Sequence, residues 1–441
     1  MALAGAELGL TWATPFAGLL LSIAVMPLAA PAVWHHHFGK IAAAWTLALL
    51  IPFALSFGLA QTGGVLVHTL VEEYLPFTIL LGALYTTAGG IFIRGNLHGS
   101  PTLNAGLMAL GAVLASFMGT TGASMLLIRP LIRANDNRRH NAHVVVFFIF
   151  IVSNVGGSLT PLGDPPLFLG FLQGVSFFWT AGHLWAETLF LLTSLLAVFW
   201  CLDSWLYRKE GITPTDPTPD APRVGLEGAI NLLPLAVAVG LVLMSGTWKP
   251  GIVFDLWGTP LPLQALLRDI GLVGVTAASL WLTPAGVREK NQFSWAPMQE
   301  VAKLFIAIFL TMVPVIAMLK AGPAGVFAPL AAMLDSPLAY FWLTGGLSSV
   351  LDNAPTYLAF FNLAGGNAQV LMSESAAVLA AISGGAVFMG AMTYIGNAPN
   401  FMVKAIAEER GVKMPSFGGY LLWSGAVLLP LLFVMAWIWM R

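Results

Sequence analysis

Asp164 and Asp352 are carboxylates set between apolar runs long enough to lie inside a membrane. Asp164 ends the stretch Ser153-Asn154-Val155-Gly156-Gly157-Ser158-Leu159-Thr160-Pro161-Leu162-Gly163-Asp164, and Pro165-Pro166 follows it. Asp352 lies in Leu351-Asp352-Asn353-Ala354-Pro355-Thr356-Tyr357. Two more polar interruptions, Met118-Gly119-Thr120-Thr121-Gly122-Ala123-Ser124 and Ala391-Met392-Thr393-Tyr394-Ile395-Gly396-Asn397-Ala398-Pro399, divide other apolar segments. Around the two acids, Thr120, Thr121, Ser124, Asn154, Ser158, Thr160, Asn353, Thr356, Thr393 and Asn397 supply hydroxyl and amide oxygens. Hard oxygens of this kind suit a small hard cation. An ionisable group at membrane depth is costly and marks a functional site by default. Burial disfavours a charged carboxylate, so a proton and a cation can compete for one set of oxygens, the simplest coupling for an antiporter. Asp164, Asp352 and Asn353 are the expected ligands of a transported sodium ion. Each acid also has a plainer reading. Asp164 precedes Pro165 as a helix N-cap precedes an N1 proline, and Asp352 could be a turn residue.

Composition sets the class. Of 441 residues 58% are hydrophobic and 9% charged, against about 25% charged in soluble domains. The chain therefore reads as an all-α polytopic membrane protein, and a bacterial-type inner membrane is its expected location. A net charge of -1 gives no sign of nucleic acid, and the single Cys201 leaves no partner for an internal disulfide. The N-terminus lacks the basic region and cleavage site of a signal peptide, so the first helix is expected to be retained.

About 20 apolar residues span a bilayer. Spans are predicted near 10–30, 41–60, 75–93 and 183–202, with an interrupted segment at 102–132 and a broken helix at 144–173. Residues 203–228 read as a linker. Beyond it come spans near 229–246, 264–283, 300–320 and 416–439, an interrupted segment at 337–372 and a broken helix at 375–403. A helix can break at this depth only where protein or a water-filled cavity takes up the freed backbone groups.

The two sides of the linker match under one constant shift of 233 residues. Leu114 meets Leu347, Ser116 meets Ser349, Gly157 meets Gly390, Thr160 meets Thr393, Gly163 meets Gly396 and Pro166 meets Pro399. Asp164 falls on Asn397 and Asp352 on Gly119. The chain thus reads as a duplication, with residues 1–202 as the first repeat and 229–441 as the second.

Lys and Arg are enriched in cytoplasmic loops. The loop 129–143, with Arg129, Arg133, Arg138 and Arg139, is placed inside, and 203–228 becomes a cytoplasmic linker. The remaining basic residues agree only if 102–132 and 337–372 are re-entrant hairpins. Each repeat then has about five transmembrane helices and one hairpin, and the odd count inverts one repeat against the other. Inverted repeats with broken helices place a transport site at the midplane.

The run Ser153 to Pro161 with Gly163-Asp164, and the tip Leu351 to Thr356, resemble the signatures of the ion transporter superfamily. Within it the chain is most similar to NhaD-type sodium/proton antiporters and to citrate-transporter-like membrane proteins. The resemblance implies a homodimer with a scaffold and a moving, elevator-like part that carries the hairpins and broken helices. Relatives carry sodium, di- and tricarboxylates or arsenite. Carboxylate carriers usually show Ser-Asn-Thr at both tips, whereas this chain has Gly-Thr-Thr at 119–121 and Asp-Asn-Ala at 352–354. That departure favours a small cation.

The expected activity is therefore sodium (or lithium)/proton antiport, with no resident cofactor beyond the transported ions and with the lipid bilayer as partner. One rival is a sodium-coupled symporter of organic anions, which would want a fixed positive charge at the midplane. None of the four interruptions contains Lys or Arg. A remote rival is an intramembrane aspartyl protease using Asp164 and Asp352.

Overall fold

The computed structural model describes residues 3–95, 97–211 and 224–441. Among them nine helices are long and apolar enough to cross a membrane, and strands are confined to two short antiparallel pairs. Phe92–Arg94 pairs with Gly225–Glu227, and Val253–Leu256 with Thr259–Pro262. The chain is an all-α polytopic membrane protein.

Two populations of helices follow from where their apolar surface goes. Pro31–Phe57 buries only 17% of its most apolar window, while Pro101–Ala134 buries 72%. Leu55, Leu59, Trp281 and Leu422 face outward at 75–84% exposure, as side chains against lipid tails do. By contrast, every residue from Val144 to Val152 is no more than 2% exposed. A helix apolar on all sides belongs inside the protein, and this one leads directly to Asp164.

Pro101–Ala134 is long enough to span, yet it turns back on itself. Its helical path breaks at Gly119, with φ 79° and ψ 152°, a region that is essentially glycine-only. Its ends touch: the Gly99 amide donates to the Ala134 carbonyl at 2.5 Å. Asn104 and Asn135 exchange amide hydrogen bonds at 2.9 and 2.8 Å. Residues 101–134 therefore form a hairpin with its tip at Gly119. The second interrupted segment divides into Pro337–Ser348 and Asn353–Leu363, of 12 and 11 residues. At about 1.5 Å per residue each arm is roughly 17 Å long, too short to cross about 30 Å of hydrocarbon. Its second arm ends at Leu363, short of the expected 372, and Ala368–Met372 is a separate short helix.

Both broken helices lie where the sequence places them. Ala142–Ile151 is followed by a single 3-10 turn, a run of bends and turns over 158–164 and a restart at Pro165–Leu172. Ala376–Met389 is followed in the same way, and its restart, Ala398–Glu409, runs past the expected end at 403. A Cβ on Gly163 would overlap the Gly157 carbonyl, and one on Gly396 would lie 2.6 Å from the Gly390 carbonyl. The backbone folds onto itself at both places, and only glycine allows it.

Other boundaries move. The segment between the expected spans at 10–30 and 41–60, with His35-His36-His37, is helical, because Pro31 starts the helix Pro31–Phe57 upstream of the histidines. A helix from Leu59 to Gly89 replaces the span at 75–93, so His68, Glu72 and Glu73, which fall between expected spans, lie on a helix. A π-helical turn at Thr69–Tyr74 absorbs the irregularity. The start of the 203–228 linker is also corrected, since Trp179–Glu210 stays helical. Its last turns are held by Asp203 and Glu210, which pair with Arg138 at 2.6 and 3.3 Å. Residues 212–223 of that linker lie outside the described residues.

Candidate ion site at the hairpin tips

The restart at Pro165 leaves Asp164 at the N-cap position with extended backbone, φ -141° and ψ 144°, but its side chain caps nothing. The carboxylate turns inward instead and is 2% exposed. The Thr120 hydroxyl, one residue past the first hairpin's break, donates to Oδ1 at 2.9 Å. Asn397 Nδ2 donates to the same oxygen at 3.0 Å. Asn353 Nδ2, at the second hairpin tip, donates to Oδ2 at 2.5 Å. Both oxygens thus accept, from three separate elements, which is the bonding pattern of an ionised carboxylate. Asn353 is fully buried, and its Oδ1 has no hydrogen-bond partner among the described residues. A buried acceptor left unpaired costs about 1–3 kcal/mol, so this oxygen is poised for a ligand.

A second layer fixes the first. Asn397 Nδ2 also lies 3.1 Å from Asn154 Oδ1 and 3.2 Å from the Ser153 carbonyl. Asn154 Nδ2 donates to Asn400 Oδ1 at 2.7 Å and to the Ile149 carbonyl at 2.9 Å. Asn400 Nδ2 in turn donates to the Gly390 and Thr393 carbonyls, both at 2.8 Å. Carbonyls freed by the broken helices are thus taken up by Asn side chains: Ile149 by Asn154, Gly390 and Thr393 by Asn400, and Ser153, across the two halves of the chain, by Asn397.

Of the expected site residues, Thr120, Asn154, Asp164, Asn353 and Asn397 converge. The others have different partners. Thr160 donates to the Ser116 carbonyl and Thr393 to the Ser349 carbonyl at 2.5 Å, so each ties a broken helix to its own hairpin. Ser124 shares a hydrogen bond with Ser153 at 2.8 Å. Ser158 binds the Val155 carbonyl and Thr188. Thr356 donates to the Asp352 carbonyl at 2.9 Å, and Thr121 is half-buried one residue beyond Thr120. Asp352, also half-buried, accepts from the Ala354 amide at 3.1 Å and so caps Asn353–Leu363. The two plain readings therefore separate: Asp352 is a cap and Asp164 is not. No hydrogen bond joins the two acids among the described residues.

Sequence reasoning missed Ser153 and Asn400. Asn400 had one available signal, an amide residue directly after the Ala398-Pro399 restart.

The arrangement is a buried, anion-centred cluster of oxygens and amides where two hairpin tips meet two helix breaks. Comparison with curated proteins gives no match. The model of the family described as "Putative citrate transport" matches residues 5–440. The chain, matched over nearly its whole length, belongs to this family of membrane transporters.

Proposed function

We propose that this protein is a secondary transporter exchanging sodium (or lithium) for protons, with both competing for the oxygens around Asp164. The observation that carries the reading is the Asp164 carboxylate held between Thr120, Asn353 and Asn397, with the buried Asn353 Oδ1 unpaired beside it. Rotation of the Asn353 amide by half a turn would replace a donor by an acceptor next to Oδ2. A cation would then find Asp164 Oδ2, Asn353 Oδ1 and the Thr120 hydroxyl oxygen together, and a proton on Asp164 would remove the charge that holds it. Asp352, one residue from Asn353, adds negative potential at the mouth of the site. We further propose inverted repeats over 1–202 and 229–441, an inner-membrane location, a homodimer and elevator-like movement of the hairpins against the long lipid-facing helices. The common geometry of the two breaks supports the repeats.

Proteoliposomes containing a pH dye test this directly. External sodium or lithium should drive proton movement, and potassium should not. No cation-driven pH change would sink the antiport reading. The description of the matched family favours a second reading, sodium-coupled uptake of a citrate-like anion. Labelled citrate accumulating only with a sodium gradient would establish it.

A further inference from the structure

A cavity of about 360 Å³ lies beside the first hairpin, lined among others by Tyr85, Met125, Arg129, Gln292, Ser294 and Glu409. One wall belongs to elements that carry the ion site: Met125 and Arg129 follow Thr120 on the hairpin's second arm, and Glu409 ends the restart that begins after Asn397. The opposite wall is Tyr85, on the helix Leu59–Gly89, together with Gln292 and Ser294 ahead of Ala296–Lys320. Arg129 is nine residues beyond Thr120, about 14 Å along the helix, so the cavity is separate from the Asp164 cluster.

Arg129 is 6% exposed. Its Nε donates to Gln292 Oε1 at 3.1 Å, and its buried Nη1 has no hydrogen-bond partner among the described residues. Arg410 adds a second guanidinium, with Nη2 3.5 Å from the same Gln292 oxygen. The carboxylate of Glu409 lines the same cavity but is exposed, and no hydrogen bond joins it to Arg129 among the described residues. Glu409 therefore acts on Arg129 only electrostatically, without a hydrogen bond, and a buried guanidinium with no hydrogen-bonded anion is expensive. Its planar fork matches the two oxygens of a carboxylate or phosphate. On the opposite wall the Tyr85 hydroxyl is already committed, donating to the Ser294 carbonyl at 2.7 Å.

We propose that Arg129, supported by Arg410 and Gln292, forms a binding site for a small oxyanion, a carboxylate or a phosphate. The site is distinct from the cation site at Asp164. An anion there would touch both walls and hold the hairpin against the helix Leu59–Gly89 in this arrangement.

The test is calorimetric titration of the full-length protein with citrate and with inorganic phosphate in sodium-free detergent. Leaving sodium out keeps the result independent of coupling at Asp164. Saturable binding is expected in the wild type. It should weaken at least about tenfold, about 1.4 kcal/mol, in Arg129→Gln, and less in Arg129→Lys, which keeps the charge and loses the fork. If Arg129→Gln does not fold, Arg129→Lys decides, and an unchanged affinity there overturns the proposal. So does the absence of saturable binding to the wild type, which would mean that water alone fills the cavity. Nanodiscs separate the two sources of oxyanion. At high ionic strength, which screens the anionic surface, citrate binding weaker in phosphatidylglycerol than in phosphatidylcholine identifies an anionic lipid headgroup as occupant, and equal binding identifies a dissolved anion. Both outcomes support the guanidinium site.

Discussion

Asp164 and Asn397 occupy corresponding positions, 233 residues apart, and are hydrogen-bonded to each other at 3.0 Å. Thr120 and Asn353 correspond under the same shift, and both donate to that same carboxylate. The centre of the molecule is thus built from two pairs of equivalent positions, with one member of one pair charged. Two carboxylates at this separation would repel and could not both ionise. Asn in place of the second acid removes that conflict and leaves a single negative charge. Among these four side chains, one monovalent cation or one proton suffices to neutralise it.

Replacing Asp164 with Asn should abolish cation-driven proton movement and leave the protein folded. The variant keeps the shape but sets an amide group against the donors of Thr120, Asn353 and Asn397. A loss of about 1–3 kcal/mol is expected from that mismatch. Sodium should raise the melting temperature of the wild type, as any ligand selective for the native state does, and should leave the variant's unchanged. Full antiport by purified Asp164→Asn protein would show that the coupling site lies elsewhere.

Gly119 gives a backbone test. Its φ of 79° with ψ of 152° is strained for any other residue, so Gly119→Ala should cost about 1–3 kcal/mol and displace Thr120. Gly106, on the hairpin's first arm with open space around it, should gain up to about 1 kcal/mol as Ala through helix propensity. Melting temperatures of the two variants should move in opposite directions, with transport impaired only in Gly119→Ala. Equal shifts would mean that the tip adopts another conformation.

The breaks and the hairpin tip were legible because their cause is local. Pro161, Pro165 and Pro355 restrict the backbone wherever they occur, Gly119 and Gly163 admit conformations closed to other residues, and the constant shift doubled the signal. Which polar groups meet was not legible, since it depends on the rotation of each element. Ser158 and Thr160, two residues apart, turn to Thr188 and to the Ser116 carbonyl. Asp164 and Asp352 look alike as sequence, yet one faces the cluster and the other caps a helix. The polar runs at His35–His37 and Glu72-Glu73 imitate loops, while the helices continue through them, the second by way of the π-helical turn at Thr69–Tyr74.

The base of the first hairpin predicts a stability effect without a change in coupling. Asp203, fully buried, lies 2.6 Å from Arg138 Nη1 and 2.8 Å from His143 Nε2, and accepts from Asn104 Nδ2 at 3.1 Å. These contacts clasp the hairpin's base, the start of the first broken helix and the helix Trp179–Glu210. Removing one partner of such a buried pair costs about 3–5 kcal/mol, so Asp203→Asn should lower the melting temperature markedly. Sodium should still stabilise the variant, by an amount that grows with the logarithm of its concentration above Kd. An unchanged melting temperature would show that the clasp contributes nothing.

The last prediction concerns the number of protons that compete with the cation. If one carboxylate must lose its proton before the cation binds, the apparent sodium affinity falls about tenfold per pH unit on the acid side, about 1.4 kcal/mol. Two competing protons give about a hundredfold. The sign is fixed by linkage: a cation that excludes protons binds more weakly as pH drops. Asp352→Asn separates the two cases, because Asn caps a helix as well as Asp and should preserve the bond to the Ala354 amide. If the charge of Asp352 takes part, calorimetry of sodium binding across pH should show the slope reduced from two protons towards one. If the side chain serves only as the cap seen in the structure, mutant and wild-type slopes should coincide at one. A pH-independent sodium affinity in the wild type would refute direct competition at Asp164, whatever the mutant does.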